Sequence, residues 1–149
     1  MAWINGYPEL VCCFMGWLVG ALFKIPTYYL VHKKINLAQA FGTGGMPSTH
    51  ASIITATTLA IGLFDGFNTP AFAIAVAISM IVIYDASGVR REAGYHAVII
   101  NRLIDEYIKS PNIDQKKLKE MIGHTPLEVV AGVLTGLATS FVIWILWPK

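Results

Sequence analysis

Charge is scarce in this chain. Lysine and arginine number 11 and aspartate and glutamate 9 among 149 residues, 13% in all, where a soluble domain carries about a quarter. Hydrophobic residues make up 55%, more than a soluble protein of this length could hide from water, so one compact membrane domain spanning residues 1–149 is expected. The net charge of +2 comes without a long basic tract, which argues against nucleic acid as a partner. Cysteine is nearly absent. Cys12 and Cys13 are neighbours in an apolar run, a spacing that suits neither an ordinary disulfide nor a metal motif. No basic stretch precedes the first apolar run, so a cleaved signal peptide is not expected. Internal repeats and low-complexity tracts are also missing.

What remains is mostly apolar segments, over residues 7–31, 47–64, 70–84 and 125–147. A spanning helix needs about 20 residues; the first and fourth segments meet that, and the middle two are short enough to need their polar ends or the shelter of a bundle. Between the third and fourth lies a polar stretch in which Val98, Ile99, Leu103, Ile104, Tyr107 and Ile108 recur at helical spacing. That pattern predicts an amphipathic helix lying at the interface over 91–109. Ser110-Pro111-Asn112 should break it, with a second short helix over 115–122. The expected fold is therefore all-α: an integral membrane bundle of about four transmembrane helices with one cytoplasmic interfacial helix.

Alternation of the spans puts three polar stretches on one membrane face. They are Gly42-Thr43-Gly44-Gly45-Met46-Pro47-Ser48-Thr49-His50, Asp85-Ala86-Ser87-Gly88-Val89-Arg90-Arg91 and Gly123-His124-Thr125-Pro126-Leu127-Glu128. Lys33, Lys34, Arg90, Arg91, Arg102, Lys109, Lys116, Lys117 and Lys119 fall on the same side. Only Lys149 falls on the other, with Lys24 inside the first helix. This bias predicts a cytoplasmic motif face, with Trp3, Trp144 and Trp147 as an aromatic belt opposite. Gly16/Gly20 and Gly132/Gly136 have small-xxx-small spacing and read as helix packing.

The first polar stretch has the makings of an anion cradle. Glycines let backbone N–H groups converge, Pro47 suits a first helical turn, and a helix N-terminus follows, with hydroxyls at Ser48 and Thr49. The same loop would serve equally as a helix cap. It lacks the Gly-Lys-Ser/Thr ending of a Walker loop. His124 and Glu128 have i, i+4 spacing, so a carboxylate can orient an imidazole and stabilise its cation. Arg90 and Arg91 can fork onto phosphate oxygens or serve as interfacial charge, with Asp85 neutralising one of them. Lys24, about two turns inside its helix, must snorkel or meet an anion. A metal held by His50, His124, Glu128 and Asp85 is the rival reading, but those residues form no compact ligand motif and cations lie nearby.

These residues carry a resemblance. Pro47-Ser48-Thr49-His50 resembles the Pro-Ser-Gly-His motif of type-2 phosphatidic acid phosphatases and vanadium-dependent haloperoxidases. Gly123-His124, with Glu128, Val129 and Gly132, resembles their last motif, shortened before the histidine. Together with Asp-Ala-Ser-Gly-Val-Arg-Arg, the set is similar to the divergent, small, membrane-bound branch of that superfamily across nearly the whole chain. The resemblance implies His124 as nucleophile through a phosphohistidine, His50 as general acid, Glu128 as orienter, and Ser48 and the backbone at Gly45 as oxygen-binding groups. It implies no metal and no other cofactor. The superfamily's Lys-x6-Arg-Pro motif is absent here, with Lys24, Lys33 and Lys34 the candidates to replace its lysine. Leu118 stands where an arginine is expected, for which Arg90 or Arg91 would substitute, and glutamate replaces aspartate at 128.

The expected activity is hydrolysis of a lipid or prenyl phosphate monoester. Lys24, Gly45, Ser48, Thr49, Arg90 and Arg91 would bind phosphate, with Lys34 and Asp85 in support. The expected partners are the lipid-phosphate substrate and membrane lipids, with a homo-oligomer as a further expectation. A non-catalytic lipid-phosphate binder or membrane assembly protein is the alternative, followed by a vanadate-dependent haloperoxidase and then a transporter.

Overall fold

The computed structural model describes residues 6–42, 44–107, 118 and 123–148. The described residues form five helices and no strand: α1 (Pro8–His32), α2 (Thr49–Phe64), α3 (Pro70–Ser87), α4 (Val89–Tyr107) and α5 (Pro126–Leu146), with a 3-10 turn at Leu37–Phe41. α1, α5 and the continuous stretch Pro70–Glu106 are long and apolar enough to cross a membrane, and α2 is a shorter apolar helix. The protein is an integral membrane helical bundle.

α2, at 16 residues, spans only about 24 Å, less than a bilayer's hydrocarbon core of about 30 Å. It is tolerated because it lies at the centre, packed against α1, α3 and α5. Glycines let its neighbours approach. A Cβ on Gly16 of α1 would come within 2.7 Å of Ala56 Cβ, and one on Gly136 of α5 within 2.5 Å of the Ser52 carbonyl oxygen. Serine hydroxyls tie the same contacts: Ser52 Oγ donates to Gly16 O at 2.9 Å and Ser140 Oγ to Ala56 O at 2.7 Å. In lipid, such backbone-directed bonds and close van der Waals contact replace the hydrophobic drive.

Several boundaries differ from the sequence expectation. Pro47 does not occupy the first turn of α2. It follows Met46 through a cis peptide bond, and Ser48 is the N-cap. α3 runs on through Asp85 to Ser87, and α4 begins at Val89 rather than Arg91, with Gly88 alone between them. Among the described elements α4 packs only on α3, and Val89, Ile99, Ile100 and Leu103 on it are exposed. The break at 110–112, the helix expected over 115–122 apart from Leu118, Ile108, Trp3, Lys109, Lys116, Lys117, Lys119 and Lys149 lie outside the described residues.

Candidate active site

The three polar stretches meet at one end of the bundle. The Ser48 N–H donates to Glu128 O at 2.9 Å, which joins the start of α2 to the start of α5. The His124 N–H donates to Ala86 O at 3.0 Å, which joins the third motif to the end of α3. At the opposite end the rings of Phe64 and Trp147 lie 5.7 Å apart. The N-termini of α2 and α5 therefore open into the same space, and both bring the positive end of a helix dipole to it.

His124 is buried, at 3% exposure. Its Nδ1 lies 3.1 Å from Glu128 Oε2, and that oxygen also accepts the Thr125 N–H at 3.0 Å. Thr125 Oγ1 in return accepts the Glu128 N–H, completing a capping box with Pro126 in the first turn. Glu128 thus closes the helix cap and holds the imidazole. A carboxylate at Nδ1 keeps the proton there and leaves the Nε2 lone pair available. Burial pushes the His124 pKa below its ordinary 6.5; Glu128 opposes that shift, and Lys24 and Arg90 add to it.

The ring of His50, on the first turn of α2, faces His124 edge-on with centroids 6.2 Å apart. Both line a cavity of about 250 Å³ together with Lys24, Thr49 and the loop at Gly42 and Gly44. Lys24 is 2% exposed, and its Nζ donates to Gly42 O at 2.9 Å. The cation inside the first helix is therefore turned onto the loop that forms the cavity's upper wall. Gly44 and Gly45 both have positive φ, 87° and 83°, a conformation that side chains other than glycine rarely adopt. A second tie holds the loop to α1, where the Thr27 hydroxyl donates to Met46 O.

Other candidates sit apart from the cavity. Ser48 is fully buried and its Oγ accepts the Ala51 N–H at 3.4 Å, so its hydroxyl serves the cap of α2. Arg90 is held by Asp85 at 2.6 Å, at the edge of the site and close enough to disfavour charge on His124. Arg91 is directed to Tyr95, with Nε 3.2 Å from its hydroxyl and the guanidinium 5.6 Å from its ring centre. Lys34 is exposed beyond the end of α1. Leu118 is bonded through both its N–H and its carbonyl to the Asn101 side chain on α4. Among the described residues, no three His, Cys, Asp or Glu side chains group as metal ligands would.

Sequence reasoning missed Thr125, although Thr-x-x-Glu before an apolar run is a legible capping-box signature. It also missed Trp17 and Ile53, which line the cavity. No local signal marks these two, because each is one apolar residue in an apolar helix.

The family described as the Divergent PAP2 family matches residues 7–139. The chain belongs to this family. A relative, described as the uncharacterized membrane protein YuiD of Bacillus subtilis (strain 168), is 35% identical over 133 residues, covering 82% of this chain and 84% of the relative. No solved structure matches the chain. The family spans both histidines, Glu128, Lys24 and Arg90.

Proposed function

We propose that this protein is a membrane phosphatase that hydrolyses a lipid or prenyl phosphate monoester through a phosphohistidine. One observation carries the reading: two histidines face each other across 6.2 Å in a cavity beside a buried lysine, and one of them is held by a carboxylate. In the reaction, Nε2 of His124 attacks phosphorus and the P–O bond to the alcohol breaks. Protonated His50 gives its proton to the departing alkoxide. Neutral His50 then takes a proton from a water molecule that attacks the phosphohistidine, releasing phosphate and restoring both rings. Lys24 and the two helix N-termini stabilise the charge that builds on the equatorial oxygens, and Arg90 adds to that field from the edge. Glu128 favours the cationic form of His124 as the N–P bond forms.

The cluster of Lys33, Lys34, Arg90, Arg91 and Arg102 supports a cytoplasmic site by the positive-inside rule. α4, with its exposed apolar residues and α3 as the one described helix it packs on, suits a position along the headgroups beside the cavity. The test is purified protein assayed against a panel of lipid and prenyl phosphates, with and without vanadate, next to His124→Ala. Vanadate-sensitive release of phosphate that the variant lacks supports the reading; equal release by both proteins sinks it.

A further inference from the structure

Among the described residues, the buried polar side chains are Lys24, Ser48, Ser52, Asn101, His124 and Ser140. All but Asn101 tie helices together, cap α2 or belong to the site. Asn101 lies on α4 at 3% exposure, outside the cavity and outside the three motifs. Its amide grips the backbone of a single residue. Nδ2 donates to Leu118 O and Oδ1 accepts the Leu118 N–H, both at 2.9 Å. Donor and acceptor used together fix both the place and the orientation of that backbone.

Leu118 precedes His124 by six residues. Just before the histidine, Gly123 lies on the first turn of α4, where a Cβ would come within 2.4 Å of Arg91 N. The His124 N–H then donates to Ala86 O at 3.0 Å. The chain leading to His124 is thus fastened to α3 and α4 at three points. Two of these are backbone against backbone. Asn101 makes the third with a side chain, about 15 Å along α4 from Arg91. Glu128 holds the ring of His124, but the backbone of His124 precedes the N-cap Thr125 and lies outside α5. The other half of the site rests elsewhere, with Lys24 on α1 and His50 and Thr49 on α2. Slack on the α4 side therefore moves the imidazole relative to a phosphate whose binding groups stay in place. An error of about 1 Å at a reacting centre costs about a hundredfold in rate.

Resting on the hydrolase reading above, we infer that Asn101 is a positioning residue for the first chemical step. Its clasp on Leu118 holds the chain that sets the distance from which His124 attacks phosphorus. Asn101 itself touches neither the cavity nor the reacting atoms.

The test uses the full chain in lipid nanodiscs and single-turnover release of p-nitrophenol from p-nitrophenyl phosphate, with protein in excess. The plateau rate constant does not depend on how much of a variant is folded. Asn101→Leu keeps the buried bulk and removes both bonds. Its plateau rate constant should fall about tenfold or more. The concentration of folded protein giving half the plateau should stay near that of the wild type, because Lys24 and α2 hold the phosphate. Asn101→Ala, which leaves space in place of bulk, should show the same split. A role in stability alone leaves the plateau unchanged in whichever variant folds, and that result overturns the proposal while the hydrolase reading stands. Acylation by diethyl pyrocarbonate, read at each histidine by mass spectrometry, needs no turnover and decides the matter if the wild type hydrolyses nothing. A higher rate at His124 relative to His50 in the folded variants then keeps the clasp and removes the hydrolase. An unchanged ratio overturns the clasp as well.

Discussion

A single carboxylate oxygen, Oε2 of Glu128, accepts hydrogen bonds from the His124 imidazole and from the Thr125 backbone, at 3.1 and 3.0 Å. The group that orients the proposed nucleophile is therefore fixed by the same contact that starts α5. Glu128→Gln keeps the length but removes the charge, and kcat should fall about a hundredfold or more. Glu128→Asp is one methylene short of serving both partners and should lose activity as well. Thr125→Ala removes the reciprocal half of the cap and should cost about 1 kcal/mol of stability. Steady-state kinetics and thermal unfolding in detergent check the two effects separately.

The two histidines should separate by leaving group. An aryl phosphate departs with little need of a proton, whereas an alkyl or lipid phosphate needs one. His50→Ala should therefore retain more of its kcat/KM on the aryl ester than on the lipid ester, and His124→Ala should lose both alike. Equal losses for His50→Ala on both substrates would show that the roles are misassigned.

Burial lowers the His124 pKa below 6.5, so the neutral, attacking form persists into mild acid. The acid limb of kcat/KM assigned to His124 should fall below pH 6.5. Glu128→Gln should move that limb lower still, because the carboxylate is what raises the pKa. The linked stability has a defined sign. A histidine whose folded pKa is depressed binds fewer protons when folded, so its contribution is present above the unfolded value near 6.5 and is lost as pH falls through the folded one. A pH series of unfolding midpoints for wild type and His124→Gln measures it, and the wild type should lose more stability on acidification.

Packing around α2 gives a prediction independent of chemistry. A side chain at Gly132 would fall on the Ser48 carbonyl at the cap of α2. Gly132→Ala should destabilise the protein by about 1–3 kcal/mol and lower activity by moving that cap. Gly6→Ala, with nothing within 4 Å of the added atom, should be silent in the same unfolding assay.

The parts of this fold legible in the sequence were those written as long apolar runs. α1 and α5 are such runs, and alternation between them brings His50 and His124 to one end. The spacing of Gly16/Gly20 and Gly132/Gly136 also showed, because close helix approach needs small residues at fixed intervals. The joint at Gly88 did not show. A polar stretch at a membrane exit reads as a loop, yet Asp85 and Ser87 complete the last turn of α3 and α4 resumes one residue later. The 3-10 turn over Leu37–Phe41 was also hidden, since it is held by the Asn36 side chain and by tertiary ties from Lys24 and Thr27 to the loop that follows. Ser48 and Arg91 illustrate a further limit. Residue type suggested phosphate contacts, but the directions of their side chains depend on a cap and on Tyr95, which spacing to the motif does not encode.

The proposed reaction requires a phosphoryl group carried on His124. Purified protein mixed with a labelled aryl phosphate, quenched within a turnover and digested under conditions that preserve phosphohistidine, tests it directly by mass spectrometry. One phosphoryl group is expected on the peptide containing His124 in the wild type, with its accumulation in His50→Ala as the water-attack step slows and its absence in His124→Ala. Hydrolysis with no adduct on His124 in any of these proteins, or an adduct that persists in His124→Ala, would rule out a phosphohistidine at this position.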